Sequence, residues 1–307
     1  MSNIKHTPLQ YQQLDLKTLE TEYSPSSCVD DINVYINQYI TLSKQNLCTA
    51  QQQKKVLENL QYGHSPDEVL DLFLPFDSSN CQKKIHVYLH GGYWQELSKN
   101  ESCFAANNFQ QQGFHFAVIN YSLAPEATLT EIVEQCRQAI VWLYQHANEY
   151  GYDNNDIYLS GSSAGGHLAM MLALTDWSQY LNVESNIIKG ISAVSGIYDL
   201  TPIAQTYINK PLQLTSQEIV ENSPILITFA NNHAAKKRLA GCEIILAYGD
   251  NETDEFKRQT NAMKNALTTE KITVSSAEIP ERNHFNVIVD LAEPSSWLSE
   301  KVLQQMT

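Results

Sequence analysis

Read for apolar spacing, the chain switches between a period near 3.6 and a period of two. From Ser27, apolar residues recur at Val29, Ile32, Ile36, Tyr39 and Ile40, a spacing that predicts an amphipathic helix to about Leu47. Before it, residues 1–26 are polar and predict an extended arm draped over the body. Residues 56–62 and 68–74 read as strands around Gly63-His64-Ser65-Pro66, and predict an antiparallel hairpin. Strand and helix then alternate. Strands are expected over 85–89, 114–120, 156–159, 187–194, 243–247 and 271–278. Helices are expected over 102–111, 128–150, 167–174, 253–267 and 295–305, with short ones near 216–220 and 230–239 in an otherwise irregular stretch. This order implies an α/β fold: a mostly parallel twisted sheet of about eight strands, with helices on both faces and ligands beyond the carboxyl ends of the strands.

Four stretches with chemical promise fall at that rim. Gly161-Ser162-Ser163-Ala164-Gly165 joins a predicted strand to a predicted helix. So tight a turn needs small residues two positions either side of its serine, and Gly161 and Gly165 supply them. Glycine and serine also gather at ordinary turns, so the other three stretches carry the argument. His90-Gly91-Gly92, the Asp250/Glu252 pair and His284 each follow a predicted strand. A serine hydroxyl is a poor nucleophile without an adjacent base, and His284 is the candidate base for Ser163. The acid that would orient His284 is Glu252 or Asp250. Glu252 is preferred because the loop needs length to turn its carboxylate toward the ring; Asp250 then caps the loop or the next helix. Thr253 and Asp254 also qualify as helix N-caps. The amides of Gly91, Gly92 and Ala164 are the candidate oxyanion hole. Tyr93, Trp94, Tyr121, Tyr198 and Phe285 lie near the same rim and are expected to line a pocket for a flat apolar substrate. His86 and His90 form no His-Glu-x-x-His pattern and His167 reads as a packed residue, so no metal or other cofactor is expected.

A formal net charge of −14 argues against nucleic acid or an anionic membrane as partner and leaves a small molecule. A homodimer stays open. The six cysteines form no Cys-x-x-Cys pair and suit a reducing compartment. The polar amino terminus shows no signal-peptide pattern, no apolar run is long enough to span a bilayer, and the cytoplasm is the expected location. Residues 1–54 are expected to form an arm and helix that pack on or cap a catalytic domain of residues 55–307.

These motifs resemble the α/β-hydrolase superfamily, and within it the arylformamidase (kynurenine formamidase) branch, from about Tyr23 onward. The resemblance rests on Tyr23-Ser24-Pro25-Ser26, on His90-Gly91-Gly92-Tyr93-Trp94 with its Tyr-Trp extension, and on Ser195-Gly196-Ile197-Tyr198-Asp199-Leu200. Ser223-Pro224-Ile225, the segment from Asn251 to Gln259 and Asn283-His284-Phe285 extend it. Tyr121 to Pro125 is shared more widely, with esterases related to hormone-sensitive lipase. The resemblance implies an α/β-hydrolase fold, a Ser163–His284–Glu252 triad, and hydrolysis of N-formyl-L-kynurenine to L-kynurenine and formate in tryptophan catabolism. Two departures loosen the substrate assignment: Ser162 stands where many members carry His or Asp, and Glu252 where the animal members carry Asp. A general short-chain carboxylesterase, or a non-catalytic binding protein on the same scaffold, are the alternatives.

Overall fold

The structure, a computed structural model, describes residues 10–183, 186–230 and 232–307. Its centre is one sheet of eight strands: β1 (Val56–Gln61), β2 (Val69–Phe73), β3 (Ile85–Leu89), β4 (His115–Ile119), β5 (Ile157–Ser162), β6 (Ile188–Val194), β7 (Glu243–Asn251) and β8 (Val274–Asn283). The spatial order is β1-β2-β4-β3-β5-β6-β7-β8. The β1/β2 and β2/β4 pairs are antiparallel, and every other neighbouring pair is parallel. The expected hairpin and mostly parallel sheet are therefore both present.

Side chains alternate across the sheet as the period of two requires. Ile85, Val87 and Leu89 of β3 join one core, and Tyr88 joins the other. Ile244 and Leu246 of β7 face the first core, Ile245 and Ala247 the second. The helices are α1 (Leu16–Glu22), α2 (Ile32–Gln52), α3 (Ala106–Gln111), α4 (Leu129–Tyr150) and α5 (Ala164–Ala173). Four short ones follow between β6 and β7: α6 (Asn209–Leu212), α7 (Ser216–Glu221), α8 (Pro224–Ala230) and α9 (Asn232–Arg238). The last two are α10 (Asp254–Thr269) and α11 (Trp297–Gln305). Helices α4, α5 and α10 cover one face of the sheet, and α2, α3 and α11 the other. The long α4 has both end signals: a Thr128–Glu131 capping box, and Gly151 in the left-handed region at its carboxyl end.

Three expectations change. The arm is not extended within the described residues: Gln10–Gln13 is a 3-10 turn and α1 follows. Asp15 caps α1 by accepting from Thr18 N–H at 2.8 Å, and Leu19 and Tyr23 are buried one helical turn apart. That cap and that spacing outweigh the polar composition; residues 1–9 lie outside the described residues. The helix expected from Ser27 starts at Ile32, because Asp31 is its N-cap. Helix α8 was not anticipated, although Pro224 at its first position is a start signal. Among the described residues no helix is long and apolar enough to cross a membrane.

Candidate active site

The parallel strands bring the four stretches to one edge. Ser163 sits between β5 and α5 with φ 56° and ψ −119°, a conformation that strains any residue with a side chain. The strain persists because the surroundings leave no room to relax. A Cβ on Gly161 would stand 2.3 Å from the Gly165 backbone, and one on Gly165 would stand 2.0 Å from Leu89 O. The Ser163 amide is also tied to Val194 O at 2.9 Å.

Glu252 directly follows β7 and His284 directly follows β8, both strands running further than their apolar pattern suggests. Glu252 Oε2 lies 2.8 Å from His284 Nδ1. Its other oxygen accepts from Ser195 Oγ and from Gly249 N–H, each at 2.6 Å. As whole residues Glu252 and His284 are 7% and 5% exposed and the Glu252 side chain is fully buried, so the pair is shielded from water while both carboxylate oxygens are hydrogen-bonded. Phe256 and Phe285 flank the imidazole at 4.3 and 5.5 Å between ring centroids. Asp250 points elsewhere. It is exposed and accepts from Arg282 N–H at 3.2 Å, and hydrogen bonds from the Glu281 and Arg282 backbone hold its carboxyl below the usual range.

Ser163 and His284 both face a cavity of about 300 Å³. Ser163 Oγ makes no direct hydrogen bond to the His284 ring; such contacts commonly tighten only once substrate is bound. Gly91 and Gly92 line the cavity, and a Cβ on Gly91 would come within 3.5 Å of Ser163 Cβ. The amides of Gly91, Gly92 and Ala164 have no acceptor among the described residues. Ala164 N–H is also the first of α5, where the helix dipole favours negative charge.

Of the five aromatic residues expected in the pocket, Tyr93 and Phe285 line it. Trp94, Tyr121 and Tyr198 do not, and this corrects the expectation. Each turns inward and is at most 1% exposed. Trp94 packs edge-on against His167 at 4.9 Å, the Tyr121 hydroxyl donates to His90 O at 2.7 Å, and Tyr198 folds over Gly196. The pattern also missed two contributors. Ile32, Ile36 and Tyr39 of α2 form an apolar wall of the cavity. There the Tyr39 hydroxyl donates to Phe285 O and Tyr35 stacks on the Phe285 ring at 5.7 Å. Burial, with Glu252 nearby, pushes the Tyr39 phenol's pKa up, so the hydroxyl keeps its proton at neutral pH. Ser195 was the other omission. It follows β6 at the same rim, which was the available clue.

Comparison with known proteins identifies the family. The BD-FAE family model matches residues 70–241. Kynurenine formamidase of Salmo salar is 34% identical over 302 residues, covering 96% of this chain and 98% of that one. The chain belongs to the kynurenine formamidase family. The Danio rerio kynurenine formamidase is 35% identical, with 96% of each chain covered. Among solved structures, a chain from Silicibacter sp. tm1040 superposes with a TM-score of 0.79 at 24% identity, covering 93% of this chain and 98% of that one. An esterase of Pyrobaculum calidifontis does so with 0.64 at 17% identity, covering 98% of each. The sheet is thus that of the α/β-hydrolases, and the protein is a hydrolase acting on a small molecule.

Proposed function

We propose that the protein hydrolyses an aryl formamide, N-formyl-L-kynurenine, to L-kynurenine and formate. In this reading Ser163 Oγ attacks the formyl carbon while His284 Nε2 takes its proton. Glu252 holds the ring and stabilises the imidazolium. The carbonyl oxygen, now negative, is received by the amides of Gly91, Gly92 and Ala164. The C–N bond then breaks as His284 returns the proton to the departing aniline nitrogen, a poor leaving group without it. Water, activated by the same histidine, attacks the formyl-serine and releases formate.

The observation that carries the reading is the Glu252–His284 pair at 2.8 Å on the cavity that also holds Ser163, in a chain with near full-length kinship to formamidases. Tyr93, Phe104, Phe285 and the α2 wall suit an aromatic ring. One observation favours the second reading, a short-chain carboxylesterase. Among the described residues lining the cavity there is no Lys or Arg, so a substrate carboxylate would rely on hydroxyls such as those of Ser24, Ser26 and Tyr207. The test is kcat/KM for N-formylkynurenine against 4-nitrophenyl acetate. A formamide value far below the ester value sinks the first reading. Failure of an organophosphate to label Ser163 sinks both and leaves a binding protein.

The amino-terminal region to residue 54 acts, in this proposal, as a cap on the catalytic body: Ser24, Ser26, Ile32, Ile36 and Tyr39 supply one side of the cavity. A cytoplasmic setting fits its isolated cysteines. Self-association through exposed apolar residues such as Leu16 and Val34 is tested by sedimentation, where a monomer mass removes it.

A further inference from the structure

We infer that Tyr121 and His90 are positioning residues that aim the two glycine amides of the oxyanion hole, each by anchoring the carbonyl on the far side of the same peptide plane. This rests on the reading of Gly91 and Gly92 as oxyanion donors. A trans peptide is flat, and its C=O and N–H point in opposite directions, so fixing one fixes the other. The Gly91 amide shares its plane with the His90 carbonyl, which accepts from the Tyr121 hydroxyl at 2.7 Å. The Gly92 amide shares its plane with the Gly91 carbonyl, which lies 2.9 Å from His90 Nδ1. A carbonyl only accepts, so Nδ1 carries the proton and donates. The remaining ring nitrogen, Nε2, is buried without a partner. Burial also pulls the pKa of this imidazole down to about 4, which keeps it neutral at pH 7.

The two anchors brace each other. Their rings stack at 4.0 Å and 7°, and each residue is 1% exposed. The same segment holds the other end of the loop, where Ala124 N–H donates to Trp94 O at 2.8 Å. Neither ring lines the cavity, so neither touches substrate.

The loop needs such anchors because its own chemistry gives it no stiffness. Gly91 is forced by space: a Cβ there would stand 2.9 Å from Ser162 O. Gly92 is forced by conformation, with φ at 95°. Two consecutive glycines have the widest backbone freedom available, and an oxyanion hole works only if its donors are already aimed. External hydrogen bonds to the intervening carbonyls reconcile the two demands.

Tyr121→Phe and His90→Phe each keep an aromatic stack and remove one anchoring donor. Activity is read with N-formylkynurenine and 4-nitrophenyl acetate, and transition-state affinity with an aryl trifluoromethyl ketone, whose serine adduct is a tetrahedral alkoxide. Each variant should lose about 10- to 100-fold in kcat, less than the ~10²–10³ for deleting a donor outright. KM should stay within about threefold, and ketone affinity should fall in step with kcat/KM. A Tyr121→Phe enzyme with unchanged kcat overturns the inference. So does a fall in kcat with ketone affinity intact, since the loss would then lie outside the oxyanion hole. If His90→Phe fails to fold, Tyr121→Phe decides alone, having lost a single oxygen. A parent enzyme that turns over the ester but not the formamide would sink the substrate assignment and leave this comparison standing.

Discussion

Replacing Glu252 with Gln should lower kcat by about 10⁴ and leave KM near its starting value. The site dictates which way round the new amide sits. Glu252 Oε1 accepts from Ser195 Oγ and Gly249 N–H, while Oε2 faces His284 Nδ1. A backbone amide can only donate, so the glutamine oxygen must take the Oε1 place. Its NH₂ then confronts Nδ1–H, donor against donor. The ring escapes by moving its proton to Nε2. That nitrogen must be free to accept the Ser163 proton, so the dominant tautomer is the wrong one. At 1.36 kcal/mol per decade, the loss corresponds to about 5.4 kcal/mol of transition-state stabilisation. The opposite amide orientation would set NH₂ against the buried Gly249 N–H, leaving an unsatisfied donor at about 1–3 kcal/mol. Steady-state release of kynurenine gives kcat and KM, and nitrogen NMR of the ring reports the tautomer. Asp250→Asn is the control and should change kcat by no more than about threefold, because that carboxylate is exposed and holds only nearby loop backbone such as Arg282 N–H, not the His284 ring. A loss under tenfold for Glu252→Gln, or a larger loss for Asp250→Asn, refutes the reasoning.

Ser163→Ala should keep its circular dichroism spectrum and lose on the order of 10⁶ in kcat; residual activity near wild type would move the nucleophile elsewhere. Ser195→Ala removes one of two donors to Glu252 Oε1, a charge-assisted bond of roughly 1.5–3 kcal/mol, and should reduce kcat about tenfold or more while the Gly249 amide still holds the carboxylate. Tyr39→Phe frees the Phe285 carbonyl from α2 and should raise KM several-fold with a smaller change in kcat; the reverse split would place Tyr39 in the chemistry rather than in the pocket wall. Acid should destabilise the fold through its buried histidines. Burial lowers the pKa of His86 to about 3 and those of His90 and His167 to about 4. The unfolded chain then binds protons that the folded one refuses, so stability is full above the unfolded value of about 6.5 and is lost as pH falls toward 4. With three such groups the slope approaches about 4 kcal/mol per pH unit. Urea unfolding midpoints that stay level between pH 7 and pH 5 would contradict it.

How much of this was legible in the sequence follows from where the backbone obeys simple periods. Strands buried on both faces, such as Ile85–Leu89 and Ile157–Ser162, stand out as short apolar runs, and their alternation with helices is enough to specify a parallel sheet. A parallel sheet turns sequence position into proximity: Gly91, Ser163, Glu252 and His284 are far apart in the chain but each lies one or two residues past a strand end. The pocket was less legible. The apolar stripe of α2 says that Ile32, Ile36 and Tyr39 face something, and nothing in the stripe says that it is a cavity. Trp94 failed for a different reason. Side-chain direction can be counted from alternation only while φ stays negative, and the rim breaks that condition at Tyr93 (51°), Trp94 (60°), Ser163 (56°) and Ser195 (49°). Each left-handed residue redirects the chain, so that Tyr93 enters the cavity and its neighbour Trp94 enters the core. Three of these four side chains belong to the site or touch its carboxylate. That failure sits where backbone strain is held in place by packing, which is also where donors and a nucleophile must be presented against their ordinary preference.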